Sequence, residues 1–180
     1  MKSGNHLVAL NVQVNSQISV SPGAGNIDFK PFSWCIKDWK TIFNQARAGF
    51  CKQICSPSFY SHKNGYRMVL KVYPYGCGGG ESVSMFISVF IVKGVFDDNL
   101  TWPFRHGLKV ELESKTTNVC YISKTRKYSD SPHSNAWKKP SEKTIGIGFD
   151  NFISLAKLSE IVDKLPDNSI WFKITPISVP

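Results

Sequence analysis

Short segments in which apolar and polar residues alternate constrain the fold of this chain more than any other feature. The clearest example covers residues 66–73, where Met68, Leu70 and Val72 share one face and Lys71 lies on the other. Such alternation is typical of a β-strand that has one face in a protein core. The same period recurs at residues 32–36, 50–55, 82–92, 108–114, 119–123, 145–149 and 170–177. Many short strands separated by Gly, Pro and Ser predict an all-β fold, an antiparallel β-sandwich of about eight strands.

Two segments have helical rather than strand spacing. Apolar side chains recur at positions 39, 42, 43 and 46, and Asp38 before them is the expected N-cap. Gly49 is expected to end this helix, because glycine readily adopts the left-handed conformation found after a helix C-terminus. The apolar pattern of residues 152–165 predicts a second short helix. The sandwich is therefore expected to carry one or two short helices.

Residues 1–29 are expected to form an arm or linker before a sandwich domain of residues 30–180. Apolar residues at positions 7, 10, 14 and 18 have helical spacing, but several of them also fit strand alternation, so the period is ambiguous. The sequence Ser-Pro-Gly-Ala-Gly at 21–25 then interrupts any regular element. We expect a short arm, helical or frayed, that could be the end of a coiled coil.

Composition limits the class of protein. The chain is 42% apolar and contains twelve Phe, so its 180 residues can bury a sizeable core. No apolar run approaches the roughly 20 residues that a membrane-spanning helix needs, and we expect no membrane insertion. The five Cys are an odd number without a tight spacing pattern, which indicates reduced thiols and a cytoplasmic location. The net charge of +9 favours acidic partners without naming one.

No catalytic or cofactor-binding motif is complete. The glycine-rich stretch 76–80 lacks the Gly-Lys-Ser/Thr ending of a phosphate-binding loop and is expected to be a hairpin connection. Cys51, Cys55 and His62 lack a fourth ligand nearby, so we expect no metal and no cofactor. Cys35 alternates with aromatic residues and is expected to be a small core residue. The sequence predicts no enzyme, although a Cys/His nucleophile pair stays open because such partners are distant in sequence.

The longest predicted loop, residues 124–144, carries two clusters of basic residues. The clusters lie at 124–127 and 138–139, and Tyr128 and Trp137 stand beside them. Basic charge next to exposed aromatic rings is one pattern of nucleic-acid binding. We favour the alternative, a solvated loop that its two aromatic residues anchor to the sandwich.

Several sequence strings taken together resemble one known family. They are Phe-Ser-Trp-Cys-Ile at 32–36, Asp-Trp at 38–39, Ser-Pro-Ser-Phe-Tyr at 56–60, Gly-Tyr-Arg-Met-Val-Leu-Lys-Val-Tyr at 65–73, Lys-Gly at 93–94, Trp-Pro-Phe at 102–104 and Pro-Asp-Asn-Ser-Ile-Trp-Phe at 166–172. In this order they resemble the C-terminal domain of the TRAF (tumour necrosis factor receptor-associated factor) proteins, a branch of the MATH domains. The Ser-Pro-x-Phe-Tyr and Trp-Pro-Phe strings favour TRAF over other MATH domains.

The resemblance implies a β-sandwich without enzyme activity that binds extended cytoplasmic tails of receptors or signalling adaptors in a shallow groove. It also implies a homotrimer that an upstream coiled coil nucleates. The arm of this chain offers at most about two heptads, whereas a sustained coil needs roughly three or four, so this chain alone is expected to trimerise only weakly. The alternatives are a substrate-docking MATH module of a ubiquitin-ligase adaptor or deubiquitinase, and binding of nucleic acid or another acidic surface through the basic charge.

The resemblance further implies a set of peptide-binding residues. It matches a basic residue and an aromatic to Lys71 and Tyr73, which should point away from the core because they alternate with Leu70 and Val72. The other implied positions are Cys77, Ser88, Tyr128, Ser134, Asn135, Ala136, Trp137, Ile147, Gly148 and Phe149.

Four of these positions depart from the family pattern. Cys77 stands where the family has an acid, Ser88 stands near a family phenylalanine, and the serine triplet is only partly kept at 134–136. These departures predict a changed peptide preference, and we expect the preferred ligand to carry an acidic residue.

Overall fold

The computed structural model describes residues 27–76 and 84–178, which form two antiparallel β-sheets. Its strands are β1 (Phe32–Ile36), β2 (Ile54–Cys55), β3 (Phe59–Tyr60), β4 (Arg67–Tyr73), β5 (Ser84–Ile91), β6 (Gly107–Ser114), β7 (Val119–Lys127), β8 (Ile147–Ser154) and β9 (Ile170–Ile177). Its helices are α1 (Trp39–Arg47) and α2 (Leu155–Asp163). The first sheet has the order β1-β9-β6-β7, and the second has the order β2-β4-β5-β8, with β3 also paired to β4. The predicted all-β antiparallel sandwich is therefore confirmed.

The core lies between the two sheets and is built from alternate residues of their strands. On β4 the side chains of Met68, Leu70 and Val72 are fully buried, and the residues between them are half-buried. The first sheet contributes Val110 and Phe172, which are also fully buried. Because neighbouring side chains on a strand point to opposite faces, this burial determines which residues of the second sheet lie on its outer surface.

The strand predicted at 50–55 is confined to its last two residues, Ile54–Cys55. The N–H groups of Phe50 and Cys51 both donate to the carbonyl of Gln45, at the end of α1, at 2.9 and 3.3 Å. Those residues therefore extend the helix terminus instead of pairing with a strand, and Phe50 is 87% exposed.

Two later strands are longer than their alternation predicts. The strand predicted at 119–123 continues to Lys127, so the following loop begins at Tyr128 rather than at residue 124. The strand predicted at 145–149 occupies Ile147–Ser154. The added ends of β7 and β8 matter for function because they lie beside each other at one side of the sandwich.

The second helix begins at Leu155, three residues later than predicted. Phe152 fits the helical spacing but is a buried residue of β8. Ser154 caps the helix, because its hydroxyl accepts a hydrogen bond from the N–H of Lys157 at 3.2 Å.

Helix α1 lies where it was predicted and Asp38 occupies the N-cap position, but its side chain does not cap the helix. Asp38 has a φ of +53° and its side chain makes no capping hydrogen bond. Asn168 caps the helix instead: its carbonyl accepts from the N–H of Trp39 at 3.0 Å and its side-chain Oδ1 from the N–H of Lys40 at 2.8 Å. Gly49, with a φ of +82°, ends the helix as predicted.

Cys35 is not the core residue that its alternation predicts. It lies between Trp34 and Ile36 on β1, and those two side chains take the inward positions. The thiol is half-buried and lines a cleft on the outer face of the first sheet with Lys37 and Trp171.

The loop at 128–146 is anchored to the sandwich by its two aromatic residues, as predicted. Trp137 is 1% exposed and stacks on Phe104 with 6.1 Å between the ring centroids. Tyr128 meets Trp137 edge to face, also at 6.1 Å. The N–H of Phe104 donates to the carbonyl of Trp137 at 2.8 Å, which fixes the loop backbone as well.

Residues 1–26 of the arm expected at 1–29, and residues 77–80 of the hairpin connection predicted at 76–80, lie outside the described residues. In the part of the chain that the structure describes, no helix is long and apolar enough to cross a membrane.

Candidate functional site

The outer face of the second sheet brings together several of the predicted site residues. In the strand register Lys71 lies opposite Ser88, and Ser88 lies opposite Gly148 on β8. Tyr73 lies opposite Phe86, and their rings are 5.3 Å apart between centroids. A single row of residues therefore crosses the sheet from Lys71 to the edge strand β8.

Aromatic side chains cover this face in part. The ammonium group of Lys71 lies over the ring of Phe90, 4.4 Å from its centroid. A cation over an aromatic face is held by the quadrupole of the ring, which keeps the Lys71 side chain along the sheet. Phe86 and Phe90 are half-buried, while Ser88 between them is buried. The result is a shallow apolar surface with one fixed positive charge.

Gly146, just before β8, and Gly148, within β8, have no side chains and so leave space for the rings of Phe86 and Phe90. A Cβ at Gly146 would lie 2.0 Å from Oγ of Ser88 and 2.7 Å from the ring of Phe90. A Cβ at Gly148 would lie 3.3 Å from the ring of Phe86. The missing side chains let the rings of β5 lie close against the backbone of the edge strand.

A groove runs between β8 and the neighbouring edge of the first sheet, β7. We call it the edge groove. It consists of two adjoining cavities of about 250 and 240 Å³, and both are lined by Arg126 and Asp150. The first cavity also contains residues of the loop, and its full lining is Arg126, Asp130, Ser131, Ser134, Ala136, Trp137, Gly146, Ile147, Gly148 and Asp150.

Basic side chains of β7 reach across the edge groove to the backbone of β8. Nε of Arg126 donates to the carbonyl of Gly148 at 3.1 Å, and Nζ of Lys124 donates to the carbonyl of Asp150 at 3.5 Å and also to that of Asn151. The guanidinium of Arg126 also lies 3.8 Å from the carboxylate of Asp150. The two sheets are thus joined here by side chains and not by a backbone ladder.

The loop at one end of the edge groove is held by its own hydrogen bonds. Oγ of Ser134 accepts from the N–H of Ala136 at 3.2 Å, and Nε1 of Trp137 donates to Oγ of Ser131 at 3.2 Å. Trp137 therefore positions the Ser131 side chain, and the Ala136 N–H positions that of Ser134, while the ring of Trp137 stays in the core.

Most of the predicted site residues belong either to the outer face of the second sheet or to the edge groove. Lys71, Tyr73, Ser88 and Gly148 lie together on the outer face. The predicted residues that border the edge groove are Ser134, Ala136, Trp137, Ile147, Gly148 and Phe149.

Phe149 lines the second cavity of the edge groove, but it is 1% exposed, so most of its side chain belongs to the core. The remaining predicted residues are placed differently. Asn135 is exposed in the turn after Ser134, and Tyr128 packs on Trp137. Cys77 lies outside the described residues.

Sequence reasoning missed Lys124, Arg126 and Asp150 as groove residues. Lys124 lies opposite Val110 and Arg126 opposite Leu108, both of which are core residues, so these two cations take inward positions on β7. Positive charge at inward positions hides the strand period, and for this reason residues 124–127 looked like a loop. Three of the four residues at 124–127 are basic, so no alternation was available as a signal.

The most voluminous of the surface cavities described here, about 570 Å³, contains none of the predicted site residues. An ion pair lies on its wall, with Nζ of Lys139 2.6 Å from the carboxylate of Asp98. The hydrogen bond and the charge of Lys139 lower the pKa of Asp98. This cavity is a polar surface cleft.

Two histidines form another cluster, around Phe29. The ring of Phe29 meets His62 and His106 edge to face, at 5.6 and 4.9 Å between centroids. Burial lowers the pKa of both histidines, and the neighbouring His62 lowers that of His106 further. Among the described residues, no three His, Cys, Asp or Glu side chains are grouped so that they could hold a metal ion.

Comparison with known proteins identifies the family. Residues 51–173, more than half of the chain, match the sequence model described as TRAF/meprin, MATH domain. The chain belongs to the TRAF/meprin MATH-domain family. The resemblance seen in the sequence strings is therefore confirmed.

Individual relatives of this MATH domain are TNF receptor-associated factors. It is 26% identical over 143 residues to mouse TNF receptor-associated factor 5, covering 78% of this chain and 25% of that protein. It is 28% identical over 142 residues to human TNF receptor-associated factor 2, covering 79% of this chain and 28% of that protein. The chain thus spans about a quarter of the length of these curated relatives.

A solved structure supports the fold of this MATH domain. TRAF5 of Notothenia coriiceps matches it with a TM-score of 0.72 and 24% identity, over 83% of this chain and 74% of that chain. At this identity the match establishes the β-sandwich and its topology.

Proposed function

We propose that this MATH domain is a cytoplasmic signalling-adaptor module that binds extended peptide segments in the tails of receptors or adaptors. The observation that carries the proposal is the continuity between the outer face and the edge groove. Both meet at Gly148, where a strand edge, a glycine without a side chain and an aromatic surface adjoin. The names of the relatives, which associate them with TNF receptors, support the same class of partner.

The edge of β8 offers the backbone groups that an added peptide strand needs. The carbonyl of Gly148 points towards β7, because Arg126 reaches it from that strand. In an antiparallel strand the N–H and C=O of one residue point to the same side, so the N–H of Gly148 points there too. An extended peptide can pair with this edge through main-chain hydrogen bonds, while pockets beside the edge select its side chains.

The outer face supplies the contacts that select a side chain. Tyr73, Phe86 and Phe90 offer ring surface, and aromatic residues contribute most of the affinity at protein interfaces. The ammonium group of Lys71 is available to a carboxylate because it lies on top of Phe90 and not in the core. We therefore assign affinity mainly to the rings and charge selectivity to Lys71, and the preferred peptide carries an acidic residue.

The proposal for the full-length protein follows the family. We propose that it acts as a non-enzymatic scaffold and that it assembles as a homotrimer through a coiled coil upstream of the sandwich. The relatives are several times longer than this chain, which leaves room for such a segment.

The direct test is a peptide array of cytoplasmic receptor and adaptor tails, followed by titration calorimetry with the strongest acidic peptide. Tyr73→Ala should weaken binding about tenfold, and Lys71→Glu should weaken it by about five- to tenfold while leaving neutral peptides less affected. Lys37→Glu is the matched control, because Lys37 is an exposed lysine in a cleft on the first sheet.

Thermal melting must show that each variant is folded before its affinity is interpreted. If the folded Tyr73→Ala and Lys71→Glu variants bind the peptide as tightly as the parent, the site lies elsewhere. If the chain binds none of the peptides on the array, the peptide-binding function itself is wrong.

A further inference from the structure

The edge of β8 that a peptide would use is already occupied by side chains of the same chain. The carbonyl of Gly148 accepts a hydrogen bond from Arg126, and the carbonyls of Asp150 and Asn151 accept from Lys124. A peptide that adds to this edge must therefore take the carbonyl of Gly148 from Arg126. The guanidinium released in this way needs a new partner.

The position of Arg126 explains why it stays at the edge. Its Cα lies opposite Leu108, a fully buried residue of β6, so its side chain leaves β7 on the inward face. The apolar core cannot accept the guanidinium, because an unpaired buried charge is strongly unfavourable. The side chain turns to the β8 edge, where backbone carbonyls accept its N–H groups. Inward charges on an edge strand also prevent pairing with other sheets.

The guanidinium of Arg126 also forms an ion pair with Asp150. Its carboxylate lies 3.8 Å from Nη2 of Arg126, and the two side chains are 41% and 75% exposed for Arg126 and Asp150 respectively. An exposed pair at this distance contributes little, so exchange of its carboxylate for another one carries only a small penalty. A guanidinium has five N–H donors in a planar fork and binds a carboxylate best in bidentate form. The contact with Asp150 at 3.8 Å does not use all of the N–H donors of Arg126.

The edge groove has space for a second carboxylate on both sides of the Arg126–Asp150 ion pair. Arg126 and Asp150 line both cavities of the edge groove, of about 250 and 240 Å³. The other charged groups facing Arg126 from the surrounding elements are Lys124 on β7 and Asp130 in the loop. One oxygen of Asp130 already accepts the N–H of Lys127 at 2.7 Å, which ties that carboxylate to its own turn.

We propose that Asp150 is an internal substitute for the ligand, and that an acidic side chain of the bound peptide replaces it on Arg126. The inference rests on the proposed function, because it requires a peptide at the β8 edge. It adds a second anion position, distinct from Lys71 on the outer face. Asp150 then lowers the affinity for every peptide that uses Arg126, and Arg126 selects peptides with an acid at one defined position.

A double-mutant cycle tests the inference. The probes are the strongest acidic peptide from the tail array and its twins in which each Asp or Glu is changed singly to Asn or Gln. In the parent, one twin should bind about three- to tenfold more weakly through loss of its contact with Arg126. In Arg126→Gln the same change should have no effect, whereas in Lys127→Gln it should act as in the parent. Lys127 is the matched control because it follows Arg126 on β7 and is exposed.

The variant Asp150→Asn removes the internal competitor. The variant should bind the acidic peptide about two- to fivefold more tightly than the parent does. Its affinity for the amide twin that lacks the Arg126 contact should equal that of the parent. Asp150 is largely exposed, so this variant tests the inference even if Arg126→Gln proves unstable. In Arg126→Gln, thermal melting reports whether the fold is retained.

The outcomes separate this inference from the proposed function. If the parent binds no tail peptide, both are wrong. If Tyr73→Ala weakens binding but no acid-to-amide change is coupled to Arg126→Gln and Asp150→Asn alters nothing, the peptide site stands and the role of Arg126 and Asp150 is refuted.

Discussion

Nε of Arg126 donates a hydrogen bond to the backbone carbonyl of Gly148 at 3.1 Å, and this contact joins the edge of one sheet to the edge of the other. A backbone ladder between the two strands would close that side of the sandwich permanently. The Arg126 side chain can move aside, since one hydrogen bond from a charged group contributes only about 1.5–3 kcal/mol and a peptide ladder can replace it. The hydrogen bond from Arg126 therefore covers the edge of β8 in the free protein and can be replaced when a peptide binds there.

The two glycines near the groove should respond differently to an added methyl group. Gly146→Ala should lower the free energy of unfolding by about 1–3 kcal/mol, because its Cβ would lie 2.0 Å from Oγ of the buried Ser88 and 2.7 Å from the Phe90 ring. Gly148→Ala should cost less, because its Cβ would lie 3.3 Å from the half-buried Phe86 ring, which needs to shift by only a few tenths of an ångström. Urea unfolding of the two variants and the parent measures both effects. Equal stability of the two variants would show that Ser88 and Phe90 are not packed against Gly146.

The cap of helix α1 by Asn168 can be tested with a pair of glycine substitutions. Asn168→Gly should lower the free energy of unfolding by a few tenths of a kcal/mol relative to Asp38→Gly, because it removes the Oδ1 acceptor of the Lys40 N–H. Asp38→Gly should cause no loss, since the Asp38 side chain makes no capping hydrogen bond. Both residues have a φ near +50°, so glycine relieves the same backbone conformation in both variants. A larger loss for Asp38→Gly in urea unfolding would assign the cap to Asp38.

Stability should fall on mild acidification because of the histidines around Phe29. Burial holds the pKa of His62 and His106 below the ordinary value of 6.5, so the unfolded chain binds protons first as the pH decreases. Stability is therefore complete above pH 6.5 and decreases from there down to the folded-state pKa values. His106→Gln should show a smaller drop in melting temperature between pH 7.5 and 5.5 than the parent. The exposed His133→Gln is the control, and an unchanged pH profile in His106→Gln would contradict the assignment.

Alternation predicted the sandwich well because one face of each central strand is apolar. Met68, Leu70 and Val72 show the period directly, and their burial confirms it. The same rule failed for β7, because Lys124 and Arg126 occupy inward positions at the edge of the sandwich, where the core is open to the groove. A charged residue at an inward position is invisible to a pattern that equates inward with apolar.

The candidate site was only partly predictable for a related reason. Lys71 and Tyr73 were found because they share a strand whose period is clear and whose string resembles a known family. Arg126 and Asp150 meet only through the packing of β7 beside β8, and they belong to different sheets. The cap by Asn168 has the same origin, since 128 residues separate it from Lys40. Contacts of this kind depend on tertiary structure and leave no local signal.

Amide hydrogen exchange at Gly148 tests the central claim most directly. The claim is that an extended peptide pairs with the edge of β8, so the Gly148 N–H should become a donor in a new ladder. We predict that saturating amounts of an acidic tail peptide slow exchange at Gly148 by at least about tenfold, because a ladder hydrogen bond protects the amide. Lys157, whose N–H already donates to Ser154 at the start of α2, provides the internal reference. Exchange at Gly148 that stays unchanged while peptide binding is saturated would contradict the account.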